Sequence, residues 1–296
     1  MPSGKTTFLS IAMPLCVVLV YVVFLEKPWF HPAPASASEF SADDAGGLWE
    51  ESKSLVRDGK YEQALPGVLR LHEKYPGNHI YLEMAAEIYN HLGRFKEETE
   101  YWEMYLDRAP DPSAACARLG VAYQEQGKEK EAVSAQERCL ERDPQNTDYI
   151  FFLAHSLERA GQTSRAGELY QRGLKISPDN SDLQTGYARV LIREGKREQA
   201  KSLVLRRLEK APDDVDALLV AGLIFSGEGD LPKAKQYLTH GVQLSEGYLD
   251  FHRALAEIAE REHDYPEAIR HYDRILKEHP DDQQLRAKRD ALAGKQ

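Results

Sequence analysis

The chain has 296 residues and a formal net charge of −10. Its length admits two ordinary domains. Its acidity argues against a nucleic-acid partner, since gripping phosphates takes a basic face that displaces counterions, and no Lys/Arg run supplies one.

Residues 1–5 form a short polar tail. Residues 6–25, TTFLSIAMPLCVVLVYVVFL, contain no charge and are long enough to span a bilayer as one helix. Trp29 and Phe30 follow at interfacial depth. A cleaved signal has a shorter apolar core with a small-x-small site close behind it. Here the nearest such sites, Ala33-Pro34-Ala35 and Ala35-Ser36-Ala37, stand well beyond the run, so an uncleaved single-pass anchor is the expectation. Lys5 and the α-amino group outweigh Lys27, which Glu26 offsets. The positive-inside bias therefore places the C-terminal part outside the cytoplasm. Residues 26–44, rich in Pro, Ala and Ser, read as a linker.

From residue 45 onward a period of 34 residues takes over. Gly59, Gly93, Gly127, Gly161, Gly195 and Gly229 hold one slot, and His263 fills its seventh occurrence. Pro76, Pro110, Pro144, Pro178 and Pro212 hold a second, followed by Glu246 and then Pro280. Ala64, Ala132, Ala166, Ala200, Ala234 and Ala268 hold a third, with Glu98 as the exception. Such a period is the signature of a stacked helix–turn–helix repeat. It divides the chain into seven units: 45–78, 79–112, 113–146, 147–180, 181–214, 215–248 and 249–282. In the third unit, Cys116, Leu119, Gly120 and Tyr123 share a helical face. Gly127 ends that helix, because glycine takes the left-handed conformation cheaply. Ala132, Gln136, Cys139 and Leu140 face back from a second helix that stops at Asp143-Pro144. Leu140, Leu174, Leu208 and Leu276 should fill the space between units. Residues 283–296, with Leu285 and Leu292 on one face, read as a capping helix and tail.

These units resemble the tetratricopeptide repeat (TPR) family. The third carries the pattern most fully, as Cys116-x2-Leu119-Gly120-x2-Tyr123…Gly127…Ala132…Pro144. Others keep Tyr89-x3-Gly93-x-Phe95, Gly59-Lys60-Tyr61-x2-Ala64 and Asp264-Tyr265-x2-Ala268. The resemblance implies an all-α, right-handed α-solenoid preceded by the transmembrane helix. Glu98, Arg207, Glu246 and His263 depart from the pattern and predict looser packing where they stand. The family's concave surface is lined by the first helix of each unit. Carried onto this chain, that surface takes Trp49, Val56, Ile80, Val121, Phe151, Ile192, Leu219 and Leu223. Such a groove suits a partner helix or extended peptide. The lysine, asparagine and arginine clamp that some members use for chaperone tails is absent as a pattern, because Trp49/Lys53, Glu83/Glu87 and Ala117/Val121 stand in its slots.

Within the groove, His155 and Arg159 are one turn apart, as are Arg189 and Arg193 in the next unit. Stacked, the four make a basic patch suited to carboxylates or phosphates, unless Glu158 and Glu194 neutralise it. Asp148, Asp182, Asp216 and Asp250 recur at one slot; they read as first-turn acids offsetting helix N-termini, with a role in recognition as the alternative.

Cys116 and Cys139 should face each other across the Gly127 turn. They could form a disulfide, but usual helix spacing of 8–10 Å favours two packed thiols. No metal site, cofactor motif or catalytic constellation is present; His263, His271 and His279 lie too far apart to share an ion. The sequence thus points to a non-enzymatic, membrane-anchored scaffold that binds protein or peptide and organises a cell-envelope complex, with self-association through end units open. The alternative is a cytoplasm-facing adaptor regulating a membrane-bound enzyme.

Overall fold

A computed structural model describes residues 42–295. The expected anchor at 6–25 and most of the linker lie outside them. Among the described residues there are fifteen α-helices and no strand, and no helix is long and apolar enough to cross a membrane. The first helices of the units are α1 (Ala42–Arg57), α3 (His79–His91), α5 (Ser113–Glu125), α7 (Thr147–Arg159), α9 (Ser181–Arg193), α11 (Val215–Glu228) and α13 (Leu249–Arg261). The second helices are α2 (Tyr61–Lys74), α4 (Phe95–Arg108), α6 (Glu129–Arg142), α8 (Thr163–Ile176), α10 (Arg197–Lys210), α12 (Leu231–Leu244) and α14 (Tyr265–Glu278), and α15 (Gln283–Ala293) follows. The first helix starts at Ala42, inside the expected linker, with the acidic Asp44 in its opening turn, where a helix N-terminus favours negative charge.

Each helix packs on its sequence neighbours, and the first helices α5, α7, α9, α11 and α13 also lie side by side. The turn chemistry is local and repeated. Gly127 takes φ +67°, its N–H donates to the Gln124 carbonyl, and the Lys128 N–H reaches back to the Tyr123 carbonyl. This paired cap satisfies carbonyls that the helix end leaves orphaned. His263 adopts the same left-handed conformation at φ 60° and makes the same cap. At the other ends, the side chains of Asn146, Asn180 and Asp214 accept first-turn N–H groups of α7, α9 and α11. Leu285 and Leu292 of α15 are buried against the last unit.

Packing between units relies on bulky side chains seated over glycines. A Cβ built on Gly241 would lie 2.1 Å from the Phe251 ring, and Phe251 is fully buried. Alanine gains about 1 kcal/mol of helix propensity over glycine, but overpacking a rigid core costs roughly 1–3 kcal/mol. Gly241→Ala is therefore expected to lower unfolding free energy by up to about 2 kcal/mol, measured by urea denaturation.

Two of the pattern's exceptions, Glu98 and Arg207, are not loosely packed, contrary to the sequence expectation. Glu98 is buried and accepts hydrogen bonds from Asn90 at 3.1 Å and from the Trp102 indole at 3.3 Å; burial pushes its carboxyl up. Arg207 swings to Asp214, with Nε–Oδ2 at 2.6 Å. In both cases a polar side chain occupies a small-residue slot because a partner is at hand.

Cys116 and Cys139 are joined in a disulfide, with Cα atoms 5.8 Å apart. This replaces the expected pair of packed thiols. Two axes at ordinary helix spacing still bring facing Cα atoms much closer than the axes themselves, because each Cα stands off its own axis by about 2.3 Å.

In the last unit, buried His252 and partly buried His271 meet with their Nδ1 atoms 2.9 Å apart, and His271 Nε2 lies 3.1 Å from Glu267 Oε1. Arg270, Arg274 and Glu246 also bear on the pair. Burial lowers both imidazole pKa values, and the neighbouring His252 and Arg270 help bring His271 down to about 4. A folded pKa below the ordinary 6.5 means that this stability is present above that pH and is lost as pH falls from 6.5 toward 4. Between pH 7 and 5 the native chain should lose about 1–2 kcal/mol more than His271→Gln, measured by paired denaturant titrations.

Candidate functional site

The first helices α7, α9, α11 and α13 enclose a hollow of about 440 Å³. Its lining follows helical periodicity. Asp182, Thr185 and Arg189 stand on one face of α9 at i, i+3, i+7, and α7 contributes Phe151, His155, Glu158 and Arg159. Leu219, Val220, Leu223 and Asp216 enter from α11, Asp250 from α13, and Tyr248 from the turn before it.

Glu158 organises the basic end. Its side chain is 3% exposed and lies 3.2 Å from Arg189 Nη2 and 2.9 Å from Arg193 Nη1. Its Oε2 also accepts the Tyr170 hydroxyl at 2.7 Å. Burial works against the charge on Arg189, but Glu158 beside it raises its pKa overall. Burial lowers the pKa of His155, and Arg189, Arg159 and Arg193 lower it further, so that imidazole is neutral at pH 7. It stacks on Phe151 with ring centroids 6.1 Å apart. Arg159 is exposed and has no hydrogen-bond or ion-pair partner among the described residues. Glu194, the other expected neutraliser, pairs with Lys196 instead.

The opposite end is acidic. Burial raises the Asp182 pKa, and Asp216, Asp148 and Asp214 add to the effect. Asp216 accepts the Tyr248 hydroxyl at 3.0 Å. These aspartates do occupy first turns, as their helix-end role requires. The spacing also turns three of them into the hollow, a role the sequence alone offers only as the alternative. The signal is in the spacing: Asp182 shares a helical face with Arg189, a groove residue.

The structure thus gathers seven of the groove candidates, namely Phe151, His155, Arg159, Arg189, Arg193, Leu219 and Leu223, around one hollow. The others lie elsewhere. Trp49 packs edge-on against Tyr81, with centroids 5.2 Å apart, in a separate hollow near the first described helix. Val56 and Ile192 pack against the core. Ile80 and Val121 are exposed, at 46% and 51%. Among the described residues no group of three or more His, Cys, Asp or Glu side chains is placed to hold a metal ion.

Three family models, each described as tetratricopeptide repeat, match residues 50–115, 113–146, and 157–222 with 226–292. No curated protein is similar enough in sequence to match. Among solved structures, a tetratricopeptide repeat protein from Parabacteroides merdae is similar at TM-score 0.73 and 13% identity, covering 84% of this chain and 98% of that one. A thermophilic TPR protein of Thermus thermophilus aligns at TM-score 0.55 and 23% identity over 60% of this chain and 97% of its own. The pilF protein of Pseudomonas aeruginosa aligns at TM-score 0.52 and 16% identity over 73% and 98%. At these identities the likeness is one of fold.

Proposed function

Because this chain belongs to the tetratricopeptide repeat family, whose members generally mediate protein–protein contacts, we propose that it is a membrane-anchored scaffold holding a partner polypeptide in the hollow between α7 and α13. The observation that carries this reading is the hollow itself, apolar-walled by Phe151, Leu219 and Leu223 and charged at both ends. Leu223 remains 40% exposed there although the rest of its helix is largely buried, as a contact surface for a partner would require.

The anchor rests on the uncharged run at 6–25. The proposed placement of the repeats outside the cytoplasm, where the chain would organise a cell-envelope complex, rests on two supports. One is the charge bias flanking that run. The other is the Cys116–Cys139 disulfide, a bond that persists in oxidising compartments and is rare in the cytosol.

Two measurements test the reading. A photo-crosslinking side chain placed at Leu223 should trap a polypeptide in intact cells, whereas one at exposed Glu168 on α8 should not; equal trapping, or none at Leu223, would remove the hollow as the binding site. A tag after Gln296 should be digested by protease added from outside once any outer barrier is stripped. Protection would leave a cytoplasm-facing adaptor in its place.

A further inference from the structure

The proposed occupant can be given a chemistry, and this step rests on the scaffold reading above. Counting charges around the hollow, Arg159, Arg189 and Arg193 face Glu158, Asp182, Asp216 and Asp250, while His155 is neutral. The arginines outnumber their one internal acid, yet two of them already grip it. Arg189 lies within electrostatic reach of Asp182 and Asp216 but is ion-paired to Glu158; among the described residues neither Asp182 nor Asp250 makes an ion pair or carboxylate hydrogen bond, and Asp216 has only the Tyr248 hydroxyl. The unmet demand is therefore for a cation among the aspartates and a single anion at Arg159. An acidic tail gripping all four basic corners, the partner suggested by sequence, would have to displace Glu158 from a buried site.

We propose that the hollow binds an extended polypeptide segment carrying a lysine or arginine that seats among Asp182, Asp216 and Asp250, an acidic side chain about five residues away that meets Arg159, and aliphatic residues between them. The spacing follows from the scaffold. Asp182 and Arg193 stand eleven positions apart on α9, or roughly 16 Å at 1.5 Å per helical residue, and Arg159 occupies on α7 the slot that Arg193 occupies on α9. An extended chain covers that distance in about five residues. Phe151, Leu219 and Leu223 wall the interval. Complementary charges at both ends would fix register and exclude partners with the wrong spacing.

The test uses the full chain in detergent and an array of capped, fluorescent decapeptides in an alanine/leucine background. Two positions five apart vary over lysine, glutamate and alanine. Peptides with one lysine and one glutamate, in one of the two directions, should bind at least fivefold tighter than the alanine pair and than the double glutamate. The Asp216→Asn, Asp250→Asn double variant should abolish the lysine preference, and Arg159→Ala the glutamate preference, each with native helicity by circular dichroism. Binding that ignores lysine, or that favours the double glutamate, overturns this proposal while leaving a peptide-binding hollow in place. Absence of binding by every member overturns both.

Discussion

Glu158→Ala is expected to destabilise the chain by about 3 kcal/mol, the low end of what removing one partner from a buried ion pair costs. The carboxylate is nearly inaccessible and serves three donors from two neighbouring helices: Tyr170 on α8, and Arg189 and Arg193 on α9. Truncation leaves the Tyr170 hydroxyl buried without its acceptor, and removes the charge that offsets a partly buried guanidinium. The lower end of the range applies because Arg189 and Arg193 are 30% and 50% exposed and can recover water. Glu158→Gln should lose less, about 1–2 kcal/mol, since an amide oxygen still accepts one of these bonds. Adding Arg189→Met to Glu158→Ala should restore part of the loss, because the uncompensated charge goes with it. Denaturant titration of native protein, Glu158→Ala, Arg189→Met and their double variant reads this cycle, with Glu158→Gln measured beside it. Equal stability of Glu158→Ala and native protein would show that the pair is solvated and that the basic end of the hollow is not pre-built.

The architecture was legible because its determinants are local. A glycine at the end of a helical face, an Asn or Asp opening the next helix, and a proline closing a unit each act within a few residues and recur at one spacing. His263 shows how local the rule is, since the residue departs from glycine and the backbone does not. Side-chain partnership between units was not legible. Glu158 reaches Arg193 across 35 positions and leaves Glu194, the nearer candidate in sequence, to Lys196. Glu98 looked like a defect in an alanine ladder, but Asn90 and Trp102 make its slot a polar one. The aspartates read mainly as helix-end acids from their place in the first turn, although the periodicity that set Arg189 in the groove also sets Asp182 there. A one-dimensional pattern gives the face a residue occupies; which charge on the next helix answers it depends on rotamers and stacking that the pattern does not contain.

Breaking the Cys116–Cys139 bond is expected to lower stability by about 3 kcal/mol, from the loop entropy that a cross-link spanning 23 positions removes from the unfolded chain. Both cysteines are fully buried in the large core cluster that runs from Leu82 to Val190, so a reductant must wait for local opening. Because each unit of a stacked repeat contacts only its neighbours, the loss should be local. Amide exchange in Cys116→Ala, Cys139→Ala protein should quicken in α5, α6 and their neighbours α4 and α7, and stay unchanged in α11–α15. Two buried alanines also shed a little packing volume, so reduced native protein is the cleaner comparison and should show the same map. Alkylation under denaturing conditions reads the bond directly: protein isolated from its native compartment should take up label at Cys116 and Cys139 only after reduction. If both label without reductant, the pair are thiols in the cell, the 3 kcal/mol disappears, and the placement of the repeats in an oxidising compartment loses one of its two supports. If neither does, the bond locks the hairpin beside α7, whose Phe151, His155 and Glu158 form one wall of the hollow, and reduction should loosen that wall before it touches the aspartate end.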